Sequence, residues 1–245
     1  MSNRTPWTSH LSTTMRKLLP ILLMLAAGWL QGADPAYVGG NATDWGEGYT
    51  HAVTYAITTG NKVIVWAALT AAEDASLADD NTHTWTEIVD SIGSVHRIKV
   101  WITTAAATGS QAFTLSTNLI YATITVVEYS GLTASPFDKT AGADHTSTTS
   151  LASGTTAATT EANELILGFF TNNASTYTAG SGFTKRLPAG TAGIATEDKL
   201  VSSTGTQQAT MTAGTSGSGR GVVVTLKAAD QPAAGVRRTM KIIEQ

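Results

Sequence analysis

At 245 residues, the chain is long enough to bury a substantial core in one large domain or two small ones. Charged residues make up only 13%, about half the usual share, and Thr, Ser, Ala and Gly take their place, which favours short strands over a helical enzyme. The net charge of −3 gives no basic field for nucleic acid, and the absence of cysteine excludes disulfides and thiolate metal sites.

The first 33 residues carry the pattern of a secretory signal. A short positive region at 15–17 precedes the apolar run Leu18–Ala27, and small residues follow at 28–33. The run is shorter than the roughly 20 apolar residues that cross a bilayer, so we expect no stable membrane span. We interpret residues 1–33 as a cleavable signal. The alternative is a short hydrophobic N-terminal helix that is retained as an anchor or an assembly plug.

A leading segment at 34–49, with one short edge strand, precedes a quick succession of predicted strands. His51–Ile57 alternates in polarity, whereas Lys62–Leu69 is apolar on both sides, as in a central strand covered on both faces. Val95–Thr103 also alternates. Its inward side chains are predicted to be Ile98, Val100 and Ile102, and its outward side chains Arg97, Lys99 and Trp101. Further strands are predicted at 111–116 and 121–129.

A polar stretch at 140–160 leads into the second half, with weak strands around 139–140 and 151–152. Stronger strands are predicted at 164–171, 183–186, 194–201, 208–212 and 221–227, and Gly214–Gly219 is predicted to be a hairpin loop. No segment after residue 33 has a sustained helical period. The chain is therefore predicted to be all-β, with strands about every 8 to 12 residues.

The second half of the chain repeats the first at an offset of roughly 100 residues, too long for a solenoid unit. Thr58–Leu69 matches Thr159–Phe170, and Ile124–Val127 matches Val222–Thr225. We expect one domain at 34–229: an antiparallel two-sheet sandwich, jelly-roll-like, built from two internal half-repeats at about 50–132 and 155–229. In that fold each half gives strands to both sheets. The alternative is two small sandwiches in tandem.

The framework residues also resemble those of a known kind of module. The resemblance is carried by Val126–Leu132 and Ser135–Asp138, together with Thr59–Val65 and the segments at 163–168 and 180–184. They resemble a β-sandwich (jelly-roll-like) module that recurs in secreted bacterial surface proteins and in phage structural proteins. The resemblance implies presentation outside the cell or on a virion, and it brings no catalytic residues with it.

No catalytic motif was found. The chain has no Gly-x-Ser-x-Gly nucleophile elbow and no His-Glu-x-x-His zinc spacing, so we expect it not to be an enzyme. A glycoside hydrolase needs only two carboxylates, and Glu128 with Glu197 and Asp198 form the best candidate set. The alternative is that these carboxylates face solvent or bond to tyrosine hydroxyls at the sheet rims.

An acidic loop lies between two predicted strands. Asp79, Asp80 and Asn81 supply oxygen atoms there, and Asp90 can join from the next strand. Hard cations take six to eight oxygen ligands from such loops, which makes a structural Ca²⁺ the candidate cofactor. The alternative is a solvated turn. No other cofactor is expected.

Several aromatic residues lie where a sugar ring could stack. Trp101 is predicted on the same outward face as two cations, and other aromatics lie in or near loops. The candidate glycan-binding residues are Trp101, Arg97, Lys99, Trp45, Tyr49 and Tyr177. The alternative is that a neighbouring loop or subunit covers Trp101.

The last residues, 230–245, consist of a linker and a basic strip that can form a strand. Val236, Arg238, Met240 and Ile242 alternate along the strip. An unpaired sheet edge accepts an added strand through main-chain hydrogen bonds, so the strip is a candidate for assembly with a neighbouring copy. The alternative is that it folds back on its own sheet.

Taken in order of preference, three functions remain. The first is a non-enzymatic, exported structural or adhesive β-sandwich protein of a cell surface, an extracellular assembly or a virion, which associates with itself or with other surface or virion proteins. The second is a carbohydrate-binding module with a glycan partner. A glycoside hydrolase is a distant third.

Overall fold

A computed structural model of the chain describes residues 34–43, 45–172, 174–187 and 193–229. The predicted signal at 1–33, the linker, and the assembly residues Val236, Arg238, Met240 and Ile242 lie outside the described residues. Across the described ranges the regular elements are strands, and no helix there is long and apolar enough to cross a membrane.

The strands are β1 (Ala36–Ala42), β2 (Gly46–Ile57), β3 (Lys62–Thr70), β4 (Ser76–Asp79), β5 (Thr86–Ile92), β6 (His96–Thr104), β7 (Gly109–Ser130), β8 (Leu132–Ala152), β9 (Asn163–Thr171), β10 (Tyr177–Ala179), β11 (Thr184–Leu187), β12 (Ile194–Ser202) and β13 (Thr210–Ala228). All of their pairings are antiparallel, which confirms the predicted all-β, antiparallel class.

The strands form two sheets that follow the order of the chain. The first sheet runs β1-β7-β3-β6-β5, with β2 and β4 also paired to β7. The second runs β10-β13-β9-β12-β11, with β8 paired to β13. The expectation that each half of the chain gives strands to both sheets is wrong, because the first sheet ends at Ser130 and the second begins at Leu132. Gly131 joins them with φ +73°, a conformation that glycine adopts at little cost.

The two sheets share one pairing scheme. Each strand from β2 to β7 has a counterpart six strands later in the chain that holds the same position in the second sheet. Thus β13 corresponds to β7, β9 to β3, and β12 to β6. In the first sheet β1 and β2 pair with successive parts of β7, whereas β8 alone pairs along the whole length of β13. In the second sheet, the single long strand β8 therefore takes the positions that β1 and β2 share in the first sheet.

Three apolar clusters hold the fold together, and β3 contributes to two of them. Ile64 and Trp66 lie in a cluster that contains residues of both sheets, which we call the shared core. Val63 and Val65 point to the other side, into a cluster made only by the first sheet, the first-sheet core. A sheet can enclose a core of its own only if it is curled, and this curling explains why β3 is apolar on both faces.

The second sheet repeats this arrangement through β9. Leu167 and Phe169 lie in the shared core, and Trp66 packs on Phe169 with their ring centroids 5.2 Å apart. Ile166 and Phe170 point into a cluster formed by the second sheet alone, the second-sheet core. The apolar pattern on both faces that was predicted for Lys62–Leu69 is thus observed. β9 has the same pattern, so each of these two strands joins the core of its own sheet to the shared core.

Buried polar contacts also join the sheets around the shared core. Trp66 Nε1 donates to Thr196 Oγ1 at 3.0 Å, and the Tyr129 hydroxyl donates to Asp198 Oδ2 at 2.7 Å. Arg186 Nε donates to the same carboxylate oxygen of Asp198 at 2.8 Å. Because these groups are directional, they determine how the sheets are placed on each other more narrowly than apolar packing alone.

Arg220 of β13 makes a second set of contacts between the sheets. Its Nη2 donates to Ser91 Oγ in the first sheet at 2.8 Å, and its Nη1 donates to Asp144 Oδ1 at 2.6 Å. Asp144 in turn accepts from the Ser94 backbone amide at 2.8 Å. One arginine therefore connects β5, the turn after it, β8 and β13.

Two details of the sequence-based strand assignment are wrong. Gly214–Gly219 lies inside the continuous strand β13, where a hairpin loop was predicted. The pairing with β8 shifts register on both sides of Gly217, so the strand bends through bulges and does not turn. A Cβ at Gly219 would lie 1.9 Å from the Thr171 carbonyl oxygen. At Gly219, glycine permits close approach of two backbones.

The alignment of the last repeated segment is also shifted by one residue. Trp66 pairs with Thr125, and Leu167, at the matching position of β9, pairs with Val224. Through these pairings Thr125 corresponds to Val224, whereas the sequence alignment placed it opposite Val223. A shift of one residue exchanges the two faces of a strand.

Candidate functional site

The predicted glycan-binding face around Trp101 is buried. Trp101 is 5% exposed and packs in the first-sheet core with Val65 and Phe113. The expectation of an outward, exposed ring is wrong, because the curling of the sheet covers the face of β6 that alternation assigns to solvent.

The two cations beside Trp101 are used in ion pairs. Arg97 Nε donates to Asp90 Oδ1 at 2.6 Å, and this hydrogen bond lowers the pKa of the Asp90 carboxyl below its ordinary value. Lys99 Nζ lies 2.7 Å from Asp74 Oδ1 and 3.0 Å from Glu87 Oε2. Burial acts to lower the pKa of Lys99, but these two carboxylates outweigh it and raise the pKa. Arg97 and Lys99 therefore stabilise the first sheet.

The other predicted aromatic residues do not gather around Trp101. Tyr177 is buried in the second-sheet core, and its hydroxyl donates to the Asn172 carbonyl at 2.7 Å. Trp45 is partly buried with its ring edge-on to His96, at a centroid distance of 5.2 Å. Tyr49 keeps an exposed ring, at 62%. These six residues do not form one glycan-binding face, because Trp101 and Tyr177 belong to different cores.

The predicted calcium ligands do not converge on one point. Asp79 accepts hydrogen bonds from Trp85 Nε1 at 2.6 Å and from the Asn81 amide at 2.8 Å, while Asp90 is bonded to Arg97. Burial acts to raise the pKa of Asp79, but the hydrogen bonds from Trp85 and its neighbours lower it overall. No group of three or more His, Cys, Asp or Glu side chains suited to a metal is found within the described ranges. Asp80 and Asn81 are exposed at the turn.

The carboxylates considered for glycoside hydrolysis lie in different environments. Glu128 Oε1 accepts from the Thr58 amide at 2.9 Å and from Asn61 Nδ2 at 2.6 Å, all within the first sheet. Glu197 Oε2 accepts from the Gly180 amide at 2.9 Å in the second sheet, and burial raises the pKa of Glu197 to about 7. The alternative of a tyrosine-bonded carboxylate is observed at Asp198, which accepts from the Tyr129 hydroxyl.

The sequence did not point to a cleft of about 760 Å³ that the structure shows in the described part of the chain. It lies at one end of the first sheet, where β3 begins and β6 ends, beside the turn between β4 and β5 and the start of β8. We call it the Lys62 cleft. Its lining residues include Lys62, Asn81, Thr82, His83, Thr84, Thr86, Glu87, Ile88, Ile102, Thr104, Ser135, Pro136 and Phe137.

Lys62 is a buried cation at this cleft. The residue is 7% exposed, and its Nζ donates to Thr104 Oγ1 at 2.6 Å and to the Ala134 carbonyl at 2.7 Å. An ammonium group has three protons to donate, so these two neutral acceptors leave one proton for another partner. No described carboxylate lies within 4.0 Å of Nζ. Burial lowers the pKa of Lys62 below its ordinary value.

The other ionisable groups lining the cleft already have partners. His83 Nε2 accepts from the Ala106 amide at 3.2 Å, so the ring carries its proton on Nδ1, which lies 3.1 Å from Asp79 Oδ1. Glu87 pairs with Lys99 at 3.0 Å. Lys62 is therefore the charged lining group that lacks a partner of opposite charge within the described residues. A lysine at the start of an apolar strand was the signal in the sequence, but its burial depends on β8.

Comparisons with models of protein families, with curated proteins and with solved structures found nothing that matches this chain. Its function must therefore be inferred from its own residues.

Proposed function

We propose that this chain is a non-enzymatic, exported β-sandwich protein with a structural or adhesive role on a cell surface, in an extracellular assembly or on a virion. The observation that carries the proposal is the shared core, which packs Trp66 of the first sheet on Phe169 of the second and is surrounded by buried hydrogen bonds between the sheets. Such packing favours one rigid body over a hinged, cleft-closing enzyme.

We also propose that the sandwich arose from two internal half-repeats, one for each sheet. The matching order of strands in the two sheets supports this proposal, as does the placement of Ile64, Trp66, Leu165 and Leu167 on the faces that form the shared core. Two copies of one curled sheet, packed through corresponding faces, would make a duplicated sandwich.

The use of the buried charges supports a non-catalytic role. Arg97 and Lys99 are held in ion pairs, and Asp198 is bonded to Tyr129 and Arg186. Catalytic acids and bases need access to a substrate, whereas these groups bond to the protein itself. Export is proposed from the signal pattern at 1–33.

Two measurements on the producing cells test export. Cell fractionation followed by mass spectrometry should find the protein outside the cytoplasm, with its N-terminus after the apolar run Leu18–Ala27. Protein that remains in the cytoplasm with residues 1–33 intact would contradict the proposal of export.

Self-association is tested by sedimentation over a range of concentrations. The full-length chain should form assemblies, and a variant ending at Asp230 should remain monomeric, because an added strand needs the strip after residue 235. A full-length variant carrying Val236→Ser, Met240→Ser and Ile242→Ser controls for chain length and should also be monomeric. Assembly that survives both changes would exclude the strip as its cause.

The Lys62 cleft favours a second candidate function, binding of a carbohydrate. Ligand clefts commonly have volumes of about 300 to 1,000 Å³ and combine apolar walls with a few polar groups. The cleft of about 760 Å³ has both, in Ile88, Phe137, Lys62 and several threonines. A glycan array with full-length protein and its Lys62→Met variant tests this function, and binding that the variant loses would support it.

A further inference from the structure

We propose that the Lys62 cleft binds an acidic sugar of the hexuronic acid class, with the sugar carboxylate paired to the Lys62 ammonium group. This inference rests on the second candidate function and names the chemical class of its ligand. It is independent of the structural role proposed for the protein as a whole.

Lys62 has no anionic partner among the described residues. A buried ammonium group is costly unless an anion accompanies it, and within the described residues Lys62 Nζ donates only to the neutral oxygens of Thr104 and Ala134. A carboxylate in the cleft would accept the remaining proton of Nζ and supply the missing opposite charge. Burial lowers the pKa of Lys62, and a bound carboxylate would raise it again.

Hydroxyl groups line the cleft together with the cation. Thr82, Thr84, Thr86 and Ser135 are exposed and line the cleft. A hydroxyl both donates and accepts hydrogen bonds, as does each hydroxyl of a sugar ring, so this lining suits a ligand with many hydroxyls. A fatty acid would pair its carboxylate with Lys62, but its hydrocarbon chain would make no hydrogen bonds to these hydroxyl groups.

The cleft also has an apolar wall. Ile88, Ile102, Pro136 and Phe137 line the cleft. Ile102 belongs to the shared core, and Ile88 and Phe137 pack against it. Their position lets the C–H face of a sugar ring contact apolar surface while its edges reach the threonines. The combination of one cation, several hydroxyls and an apolar wall distinguishes a hexuronate from inorganic anions, which have no apolar face.

The primary test follows the Lys62 side chain by NMR in the full-length protein, because this measurement needs no variant. Titration of the Lys62 13Cε signal with pH should give a pKa that rises when D-glucuronate is present. D-Glucose, which has the same ring but no carboxylate, should leave that pKa unchanged. Acetate at equal concentration controls for charge and should have a smaller effect than glucuronate.

Two matched variants test the role of the cation by calorimetric titration with D-glucuronate. Lys62→Met keeps the unbranched apolar part of the side chain, removes its charge and should weaken binding about tenfold or more, as expected when a hydrogen-bonded charge partner is lost. Lys185→Met removes an exposed lysine of the second sheet and should bind as wild type. Circular dichroism confirms that both variants keep their strands.

The outcomes separate this inference from the function on which it rests. Glucose that binds as tightly as glucuronate would overturn the acidic specificity and keep carbohydrate binding. Acetate that acts as strongly as glucuronate would overturn recognition of the sugar. If no sugar binds and the Lys62 signal does not respond, both the inference and the second candidate function are wrong.

Discussion

The two sheets differ in how they accommodate a buried ionisable side chain at matching positions. Lys99 of β6 pairs with Ala67 of β3, and Glu197 of β12 pairs with Gly168 of β9, so the two charged residues occupy the same place in their sheets. Both are almost completely buried. Lys99 keeps its charge because Asp74 and Glu87 lie at 2.7 and 3.0 Å. Glu197 has no cation within ion-pair distance among the described residues, and burial raises its pKa to about 7.

The difference shows how loops decide the chemistry of a repeated scaffold. Asp74 comes from the turn between β3 and β4, and Glu87 comes from the edge strand β5, so the ion pairs of Lys99 depend on segments outside the core strands. The second sheet offers Glu197 backbone hydrogen bonds from Gly180 and Thr210. An ion pair preserves a buried charge, whereas backbone hydrogen bonds alone leave burial as the dominant effect on the pKa of Glu197.

The largest expected effect comes from the shared core, where the sheets should behave alike. Trp66→Ala should lower the free energy of unfolding by about 3–5 kcal/mol, and Leu167→Ala, at the matching position, by about 2–5 kcal/mol. Both residues are fully buried. Urea unfolding followed by fluorescence and circular dichroism measures these changes.

Because both sheets line this core, each variant should still unfold in one cooperative transition. Leu200→Ala, at a residue that is 50% exposed, is the control and should change the free energy by less than about 0.5 kcal/mol. Two separate transitions, one for each sheet, would show that the sheets are independent.

The second effect concerns Glu197 and has a defined pH dependence. Its folded-state pKa of about 7 lies above the ordinary 4.5, so its neutral form stabilises the protein fully below about 4.5, and this contribution is lost as the pH rises through about 7. At about 1.4 kcal/mol per pKa unit, the loss is roughly 3 kcal/mol. Glu197→Gln should remove this loss, so the variant is more stable than wild type at pH 8.5.

Urea unfolding at pH 5 and pH 8.5 measures the free energy of unfolding of the wild type and of Glu197→Gln. Glu47→Gln, at an exposed carboxylate of β2, is the matched control and should keep the pH dependence of the wild type. If Glu197→Gln and wild type lose stability in parallel as the pH rises, burial does not raise the pKa of Glu197 in the folded protein. The proposed difference between buried Glu197 and ion-paired Lys99 would then be wrong.

A smaller effect is expected at the polar contact between the sheets. Tyr129→Phe removes the hydroxyl that donates to Asp198 Oδ2 at 2.7 Å and keeps the ring. The cost should be about 1–2 kcal/mol, because Arg186 still bonds to the carboxylate. Thermal unfolding by calorimetry measures it, and an unchanged midpoint would mean that this hydrogen bond contributes nothing to the association of the sheets.

The smallest effect is expected in the ion pairs of Lys99, which Glu197 at the matching position of the second sheet does not have. Glu87→Gln should cost about 0–1 kcal/mol, since the Glu87 side chain is 39% exposed and Lys99 keeps Asp74. Salt should reduce the difference from wild type. Urea unfolding at low and high salt measures the cost of the substitution and its dependence on salt. A loss as large as that expected for Trp66→Ala would show that Glu87 is essential for holding the buried cation.

Much of the fold could be predicted from periodicity. The apolar residues on both sides of Lys62–Leu69 identified one of the two strands that join the cores, because a strand apolar on both sides must be covered on both sides. Glu164–Thr171 was predicted as a strand, and the structure shows that it is the second of the two. The assignment failed at Gly214–Gly219, since glycine serves turns and close backbone contacts equally well and the approach of Thr171 is a tertiary feature.

The sites were harder to predict for the same reason. Alternation correctly placed Trp101, Arg97 and Lys99 on the face of β6 opposite Ile98 and Val100. It does not show whether that face is exposed to solvent. Curling of the first sheet covers it. The Lys62 cleft was missed because Thr104, Ala134 and Lys62 are distant in sequence and meet only when β8 starts beside the end of the first sheet.

The sequence by itself determined the all-β class, the positions of the central strands and the faces of their side chains, because these follow from the period of two along an extended chain. Only the tertiary structure decided that each half of the chain makes its own curled sheet, which charges are paired and which one, at Lys62, borders an open cleft. Those properties depend on contacts between strands far apart in sequence, which no local pattern specifies.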